Sequence, residues 1–298
     1  MSETEKIPAK QMLRDVVDMV YREAQEAKDR GEPVGWSSSK FPAEFTEALG
    51  LMVVYPENQA AAISAKKGGQ RMCEHAEAMG FDNDICGYAR ISLAFADGAE
   101  CEEKPMPQPD FLLCCNNICN CMTKWYENVA RMHDIPLIMI DVPFNNEKEP
   151  SQAQVEYMKA QFKAAVEQLE KIAGRKMDEE KFNQACANAN RTARAWLKAC
   201  SYLQYKPSPL SGFDLFNHMA DIVTARCKVE AAEAFEALPG YGIKAKIKGI
   251  DILFGNCRLM GKNDIEIGEI EKTLEKLEKE GKTSMIIAAD NKIVGIVA

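Results

Sequence analysis

Two cysteines stand where a thiol could do chemistry. Cys86 follows Asp82-Asn-Asp84, Cys119 follows Asn116-Asn-Ile118, and each precedes a stretch of helical pattern. At a helix N-terminus the orphan backbone N–H groups and the macrodipole favour negative charge, which suits a thiolate or a thiolate-ligated group. The segment Cys114-Cys-Asn-Asn-Ile-Cys-Asn-Cys121 is dense in sulfur, yet its spacing fits neither a zinc ribbon nor a ferredoxin run. By pattern, Cys114 and Cys115 are core strand residues, Cys121 is a buried helix residue, and Cys119 is open to either a ligand or a structural role. His75, His133 and His218 are scattered, each on a helical stretch, where a structural role is expected. No nucleophile elbow, phosphate-binding loop or zinc-protease helix is present.

The elements that must position these thiols follow from the apolar pattern. Leu51–Tyr55, Phe111–Cys115 and Leu137–Val142 are short continuous apolar runs, the pattern of strands buried on both faces. The intervening 58–79, 85–96 and 118–132 are helical in pattern and length, so an α/β sheet with crossover helices is expected over residues 1–150. In such a sheet the strand-to-helix turns at the carboxyl edge line the ligand crevice, and Cys86 and Cys119 would meet there. Residues 10–29 form one amphipathic helix, broken by Gly31, Pro33 and Gly35. From 151 to 233 the chain reads as a helical extension, its third segment running from Gly212 to Ala237. A small α+β unit follows over 234–298: a hairpin around Lys248-Gly249, a charged helix at 267–280, and a last hairpin around Asp290-Asn291.

Composition narrows the function classes. The chain has 298 residues, 46% of them hydrophobic, with 37 Lys plus Arg against 45 Asp plus Glu and a formal charge of -8. No basic run could neutralise a phosphate backbone, so nucleic acid is excluded as a partner. No apolar run is long enough for a membrane helix and the first residues lack a signal-peptide pattern, so no membrane association and a cytoplasmic location are expected. Eleven cysteines without an export signal argue against a disulfide framework and for metal or redox chemistry.

Several longer strings carry a resemblance. Asp110-Phe-Leu-Leu-Cys-Cys-Asn-Asn-Ile-Cys-Asn120, Lys124-Trp-Tyr-Glu127 and Pro136–Asn145 resemble the iron–sulfur (R)-2-hydroxyacyl-CoA dehydratases. Gly35–Ser39, Val54–Asn58, Cys86-Gly-Tyr-Ala-Arg90 and Ser211-Gly-Phe-Asp214 match the same family, which the chain resembles over about 10–233. The resemblance implies a lyase subunit of an anaerobic enzyme that dehydrates a 2-hydroxyacyl-CoA to an enoyl-CoA. It implies a related partner subunit of α type, a separate ATP-dependent activator protein that feeds in one electron, and a [4Fe–4S] cluster held on three cysteines. Cys86 and Cys119 match two of those three as metal ligands. The Asn-Asn-Ile-Cys form looks like the β-type subunit, whose cluster relays electrons. Ser37 and Glu57 fall in loops expected to face the same crevice as catalytic-pocket residues. Lys124–Glu127 is expected on a helix that docks the partner.

Residues from about 234, Ala234-Phe-Glu-Ala-Leu-Pro-Gly-Tyr-Gly-Ile-Lys-Ala245, instead resemble the nucleotide-binding domain of heavy-metal P-type ATPases, with Gly240 and Gly242 matching its glycine pair beside the nucleotide. The glycines also fit a tight turn before a hairpin. The expectation is therefore a truncated or chimeric dehydratase subunit lacking the third cluster cysteine. Its rivals are a nucleotide-binding module in the C-terminal unit and a folded protein without activity.

Overall fold

The computed structural model describes residues 9–101, 106–206, 208, 210–228, 234–238, 241–247, 250–268, 270–279 and 284–297. The chain divides into a larger unit, Val17–Lys228, and a smaller one whose main part is Val229–Ala298.

The larger unit takes in helix α1 (Ala9–Asp29) from Val17 onward, then strand β1 (Val34–Ser37), α2 (Ala43–Leu49), β2 (Met52–Val54) and α3 (Pro56–Ala65). Next come α4 (Gly69–Ala78), α5 (Gly87–Ala96), β3 (Phe111–Cys115), α6 (Asn120–His133) and β4 (Leu137–Ile140). Three helices follow, α7 (Gln152–Ala173), α8 (Glu179–Ser201) and α9 (Gly212–Ala225). The four strands form one parallel sheet in the order β2-β1-β3-β4. Its two faces are sorted by strand alternation. Leu112 and Cys114 join Trp36, Val54, Ala89, Leu93, Trp125 and Tyr126 in one core, while Phe111, Leu113 and Cys115 join Phe45, Ile138, Ile140 and Leu169 in the other. Helices thus cover both faces, the expected α/β architecture.

Strand β1 is the element that the apolar pattern missed, because Gly35 lies in a four-residue strand and reads as a breaker. Its partner explains the glycine. Gly35 pairs with Phe111 on β3, and a Cβ at position 35 would come within 2.3 Å of the Phe111 ring, which is wholly buried. Long-range bonds then fix the pair. Asp110 accepts from the Val34 N–H at 2.9 Å and from the Lys28 ammonium at 2.7 Å, while the Trp36 indole donates to the Pro107 carbonyl at 2.8 Å. Ser37 is consequently the last strand residue rather than part of a loop. The helical stretch 58–79 is likewise two helices, parted where Lys67 takes a positive φ of 65°.

The helical extension belongs to this sheet. Arg226 donates to the Phe41 carbonyl at 2.9 Å and the Ser39 carbonyl at 3.4 Å, ahead of α2, and Arg175 donates to the Leu49 carbonyl at 2.7 Å, at the end of α2. Helix α7 starts on a capping box in which the Ser151 hydroxyl accepts from the Gln154 N–H, and ends on Gly174 in the left-handed region.

The smaller unit contains β5 (Ala234–Leu238), β6 (Gly242–Ile247), β7 (Ile250–Gly255), α10 (Cys257–Lys262), α11 (Glu271–Lys279), β8 (Met285–Ala289) and β9 (Lys292–Val297). The strands form one antiparallel sheet in chain order. Both expected hairpins are present, with Lys248 and Gly249 outside the described residues. The helix expected from Gly212 to Ala237 ends instead at Ala225, and Ala234–Leu238 is a strand paired with Gly242–Lys246. Ala, Glu and Leu there favour a helix, and strand pairing overrides that weak local preference.

Gly35→Ala should destabilise the larger unit by about 1–3 kcal/mol, the usual range for forcing extra volume into a packed core. Urea denaturation followed by tryptophan fluorescence checks it, and an unchanged midpoint would refute the packing account.

Candidate functional site

In the order β2-β1-β3-β4 the chain moves outward one way from β1 and the other way from β3, so the switch point lies between these two strands. A crevice outside their carboxyl ends is where open α/β sheets bind ligands. Three turns converge there: Ser37–Ser39 after β1, Tyr55–Glu57 after β2, and Cys115–Cys119 after β3.

The β1 and β3 turns are tied together. The Ser38 N–H donates to the Leu113 carbonyl at 2.8 Å, and the Ser38 hydroxyl lies 3.8 Å from the Cys115 sulfur. The Cys115 thiol donates to the Asn117 side-chain oxygen at 3.0 Å. Asn116 is held by its amide group: its Nδ2 donates to Asp141, and its Oδ1 accepts from the Val142 N–H at 2.7 Å. Asp141 also accepts from the Tyr157 hydroxyl at 2.6 Å. This network anchors the turn that delivers Cys119, whose extended backbone (φ -151°, ψ 154°) makes it the N-cap of α6. Cys86 is the N-cap of α5, and neither cysteine's side chain caps its helix. Both are exposed, and α5 packs against α6.

The remaining cysteines of this edge differ in character. Cys114 and Cys115 are buried on opposite sheet faces, and burial pushes the Cys114 thiol up to about 12 and raises that of Cys115. These are neutral core thiols. Cys121 is half-buried rather than buried. Among the described residues no group of three or more His, Cys, Asp and Glu side chains is placed to hold a metal ion.

Glu57 lies in the first turn of α3 and is half-buried. One carboxyl oxygen accepts from the Ser39 N–H at 3.0 Å and the other from the Tyr126 hydroxyl at 3.5 Å. Burial nevertheless dominates and raises its pKa; the bonds from Ser39 and Tyr126 oppose the rise. Ser37 is buried and its hydroxyl donates to the Ser38 carbonyl at 3.1 Å, so Ser39 rather than Ser37 meets Glu57. Ser39 was findable: it is the first residue beyond the strand whose N–H the sheet does not use, the Ser38 N–H still going to Leu113.

Two other expectations meet a different geometry. Trp125 and Tyr126 are core residues, because Met122, Trp125, Tyr126 and Val129 form the inward face of α6 at helical spacing. Of this segment only Lys124 and Glu127, paired at 2.7 Å, reach the outside. Gly240 lies outside the described residues. Gly242 has φ 143°, and a Cβ there would meet the Phe254 carbonyl oxygen at 2.1 Å, so strand contact with β7 accounts for this glycine.

The family model for 2-hydroxyglutaryl-CoA dehydratase, D-component, matches residues 38–291. The alpha subunit of (R)-2-hydroxyglutaryl-CoA dehydratase from Acidaminococcus fermentans is 51% identical over 304 aligned positions, which cover 78% of this chain and 64% of that one. The (R)-phenyllactyl-CoA dehydratase alpha subunit of Clostridium sporogenes is 56% identical over 230 positions, covering 77% and 56%. The chain therefore spans less than two thirds of the length of these relatives. Both are named alpha subunits, which gives the expected β type no support. A copper-exporting P-type ATPase of Staphylococcus saprophyticus is 39% identical over 75 residues, 25% of this chain and 9% of that protein.

The Glu57 environment has a pH signature. Its folded pKa is raised above the unfolded one, so the folded state holds the proton more tightly, and stability falls as pH rises from the ordinary carboxylate value of about 4.3 through the raised one. Glu57→Gln keeps an acceptor for Ser39 and removes the titration. Denaturant midpoints measured across that window should therefore decline less in the variant, and parallel curves would contradict the assignment.

Proposed function

We infer the function from one premise: the chain belongs to the 2-hydroxyglutaryl-CoA dehydratase, D-component, family. On that footing it acts as an α-type subunit of a 2-hydroxyacyl-CoA dehydratase, a cytoplasmic lyase component that works with a related second subunit and an ATP-dependent activator. The observation that carries the reading is the carboxyl edge at the β1–β3 switch point, where Glu57 from the β2 turn accepts from Ser39 of the β1 turn and an exposed Cys119 follows β3. A 2-hydroxyacyl thioester is the substrate class. Glu57, held by Ser39 and Tyr126, accepts a hydrogen bond or a proton from the hydroxyacyl group, and Ser37 fixes the turn that presents the Ser39 N–H.

A family cluster of the [4Fe–4S] type would supply one-electron chemistry at this edge. The residues present fit it only in part. Cys86 and Cys119 offer two exposed thiols at the N-termini of packed helices, but no third protein ligand joins them among the described residues. Two thiolates leave such a cluster under-ligated, so no catalytic step is assigned through it in this chain. Dehydration requires a ligand from outside the described residues.

Two measurements test the proposal. After anaerobic reconstitution the chain should carry iron and acid-labile sulfide at low, oxygen-sensitive occupancy, and Cys119→Ser should abolish what is held. Iron content unchanged by that substitution would remove Cys119 from the site. Retention should also fall as pH falls, since only deprotonated thiols ligate. With activator, ATP and a second dehydratase subunit supplied, chromatography should detect no enoyl-CoA above a control lacking this chain. Formation above that control would show that another donor completes the site.

A further inference from the structure

Cys73 has no part in the site described above, and its surroundings point to one. It lies on α4, which packs against α5, and its sulfur is 3.9 Å from the carbonyl oxygen of Gly87, the residue after Cys86. Cys73 and Cys86 line one open groove of about 360 Å³ together with Ser64, Gly69, Tyr88 and Ile91. That volume admits a small organic molecule. The two thiols differ in access: Cys86 is exposed and Cys73 half-buried.

An exposed thiol with a sheltered one behind it is the arrangement of an attacking and a resolving cysteine. We propose that Cys73 and Cys86 form a redox-active pair that closes into an intrachain disulfide by exchange with a low-molecular-weight disulfide entering the groove. The Cys86 thiolate attacks one sulfur of the small disulfide, breaking its S–S bond and releasing one small thiolate. Cys86 is left in a mixed disulfide. The Cys73 thiolate then attacks the Cys86 sulfur, breaks the mixed bond and releases the second small thiolate. The two protons lost by the protein thiols go to the two released thiolates, so two protein thiols are oxidised and one small disulfide is reduced.

The consequence for metal rests on the function proposed above: once closed, the pair withdraws Cys86 as a ligand, and oxidised protein cannot take up iron until it is reduced. The disulfide itself does not depend on that reading.

The test uses the full chain and oxidised glutathione. Metal-free reduced protein is incubated with it, remaining thiols are alkylated, and non-reducing peptide mapping locates the links. The expected product joins Cys73 to Cys86, with both lost to alkylation. Cys73→Ser, and Cys73→Ala if the serine variant does not fold, should stop at a stable glutathione adduct on Cys86. A glutathione adduct persisting on Cys86 in the wild-type chain, or a link from Cys86 to Cys119 or Cys257, would overturn the pair. Iron content of the reduced protein is measured alongside. A Cys73–Cys86 link without iron binding upholds the pair and defeats the cluster reading, whereas iron binding without the link does the opposite.

Discussion

The contact between Gly35 and the ring of Phe111 is the constraint on which the larger unit depends. A side chain at position 35 would occupy the volume of the ring, so β1 and β3 pair in register only because that position is bare. Once they pair, the chain is committed to running outward on both sides, β2 beyond β1 and β4 beyond β3. The crevice is thereby set. The serine turn after β1 and the cysteine turn after β3 have no other place to go than beside one another, and the bond from Ser38 to Leu113 carries the strand pairing into the turns themselves.

Charge at this edge is managed by burial more than by ion pairing. Glu57 has two hydrogen-bond donors and still binds its proton more tightly than a free carboxyl, because removal from water outweighs both bonds. Cys114 and Cys115 follow the same rule and stay protonated within the core. The sulfur left for chemistry is the sulfur at helix starts. Cys86 and Cys119 stand outside the core because each is the N-cap just before a helix, Cys86 in the connection from α4 to α5 and Cys119 in the turn after β3.

Much of this was legible in the amino-acid order. Leu51–Tyr55, Phe111–Cys115 and Leu137–Val142 announced buried strands through unbroken apolar runs, and the polar residues before Cys86 and Cys119 announced helix starts. The opposite facing of Cys114 and Cys115 followed from strand alternation alone. What stayed hidden depends on distant partners. Gly35 reads as a breaker until Phe111, 76 residues on, is seen to need its space. Ala234–Leu238 reads as helix until Gly242–Lys246 offers a ladder. Trp125 and Tyr126, adjacent aromatics of the kind that mark interfaces, prove to be core because Met122 and Val129 share their face. Of these only the need of Phe111 for the space at Gly35 leaves no local trace.

The two arginines that grip α2 impose an order on synthesis. Arg175 reaches back to Leu49 and Arg226 to Ser39 and Phe41, separations of 126, 187 and 185 residues. As a ribosome releases the chain from its N-terminus, β1, α2 and the serine turn emerge early, but the bond to Leu49 must wait until α7 is out and those to Ser39 and Phe41 until α9 is out. Until then the carbonyls of Ser39, Phe41 and Leu49 must be served by water. The turn that presents its N–H to Glu57 is thus among the first parts of the molecule to be made and among the last to be finished, and a nascent chain stalled in α8 would carry the sheet's strands without the settled edge.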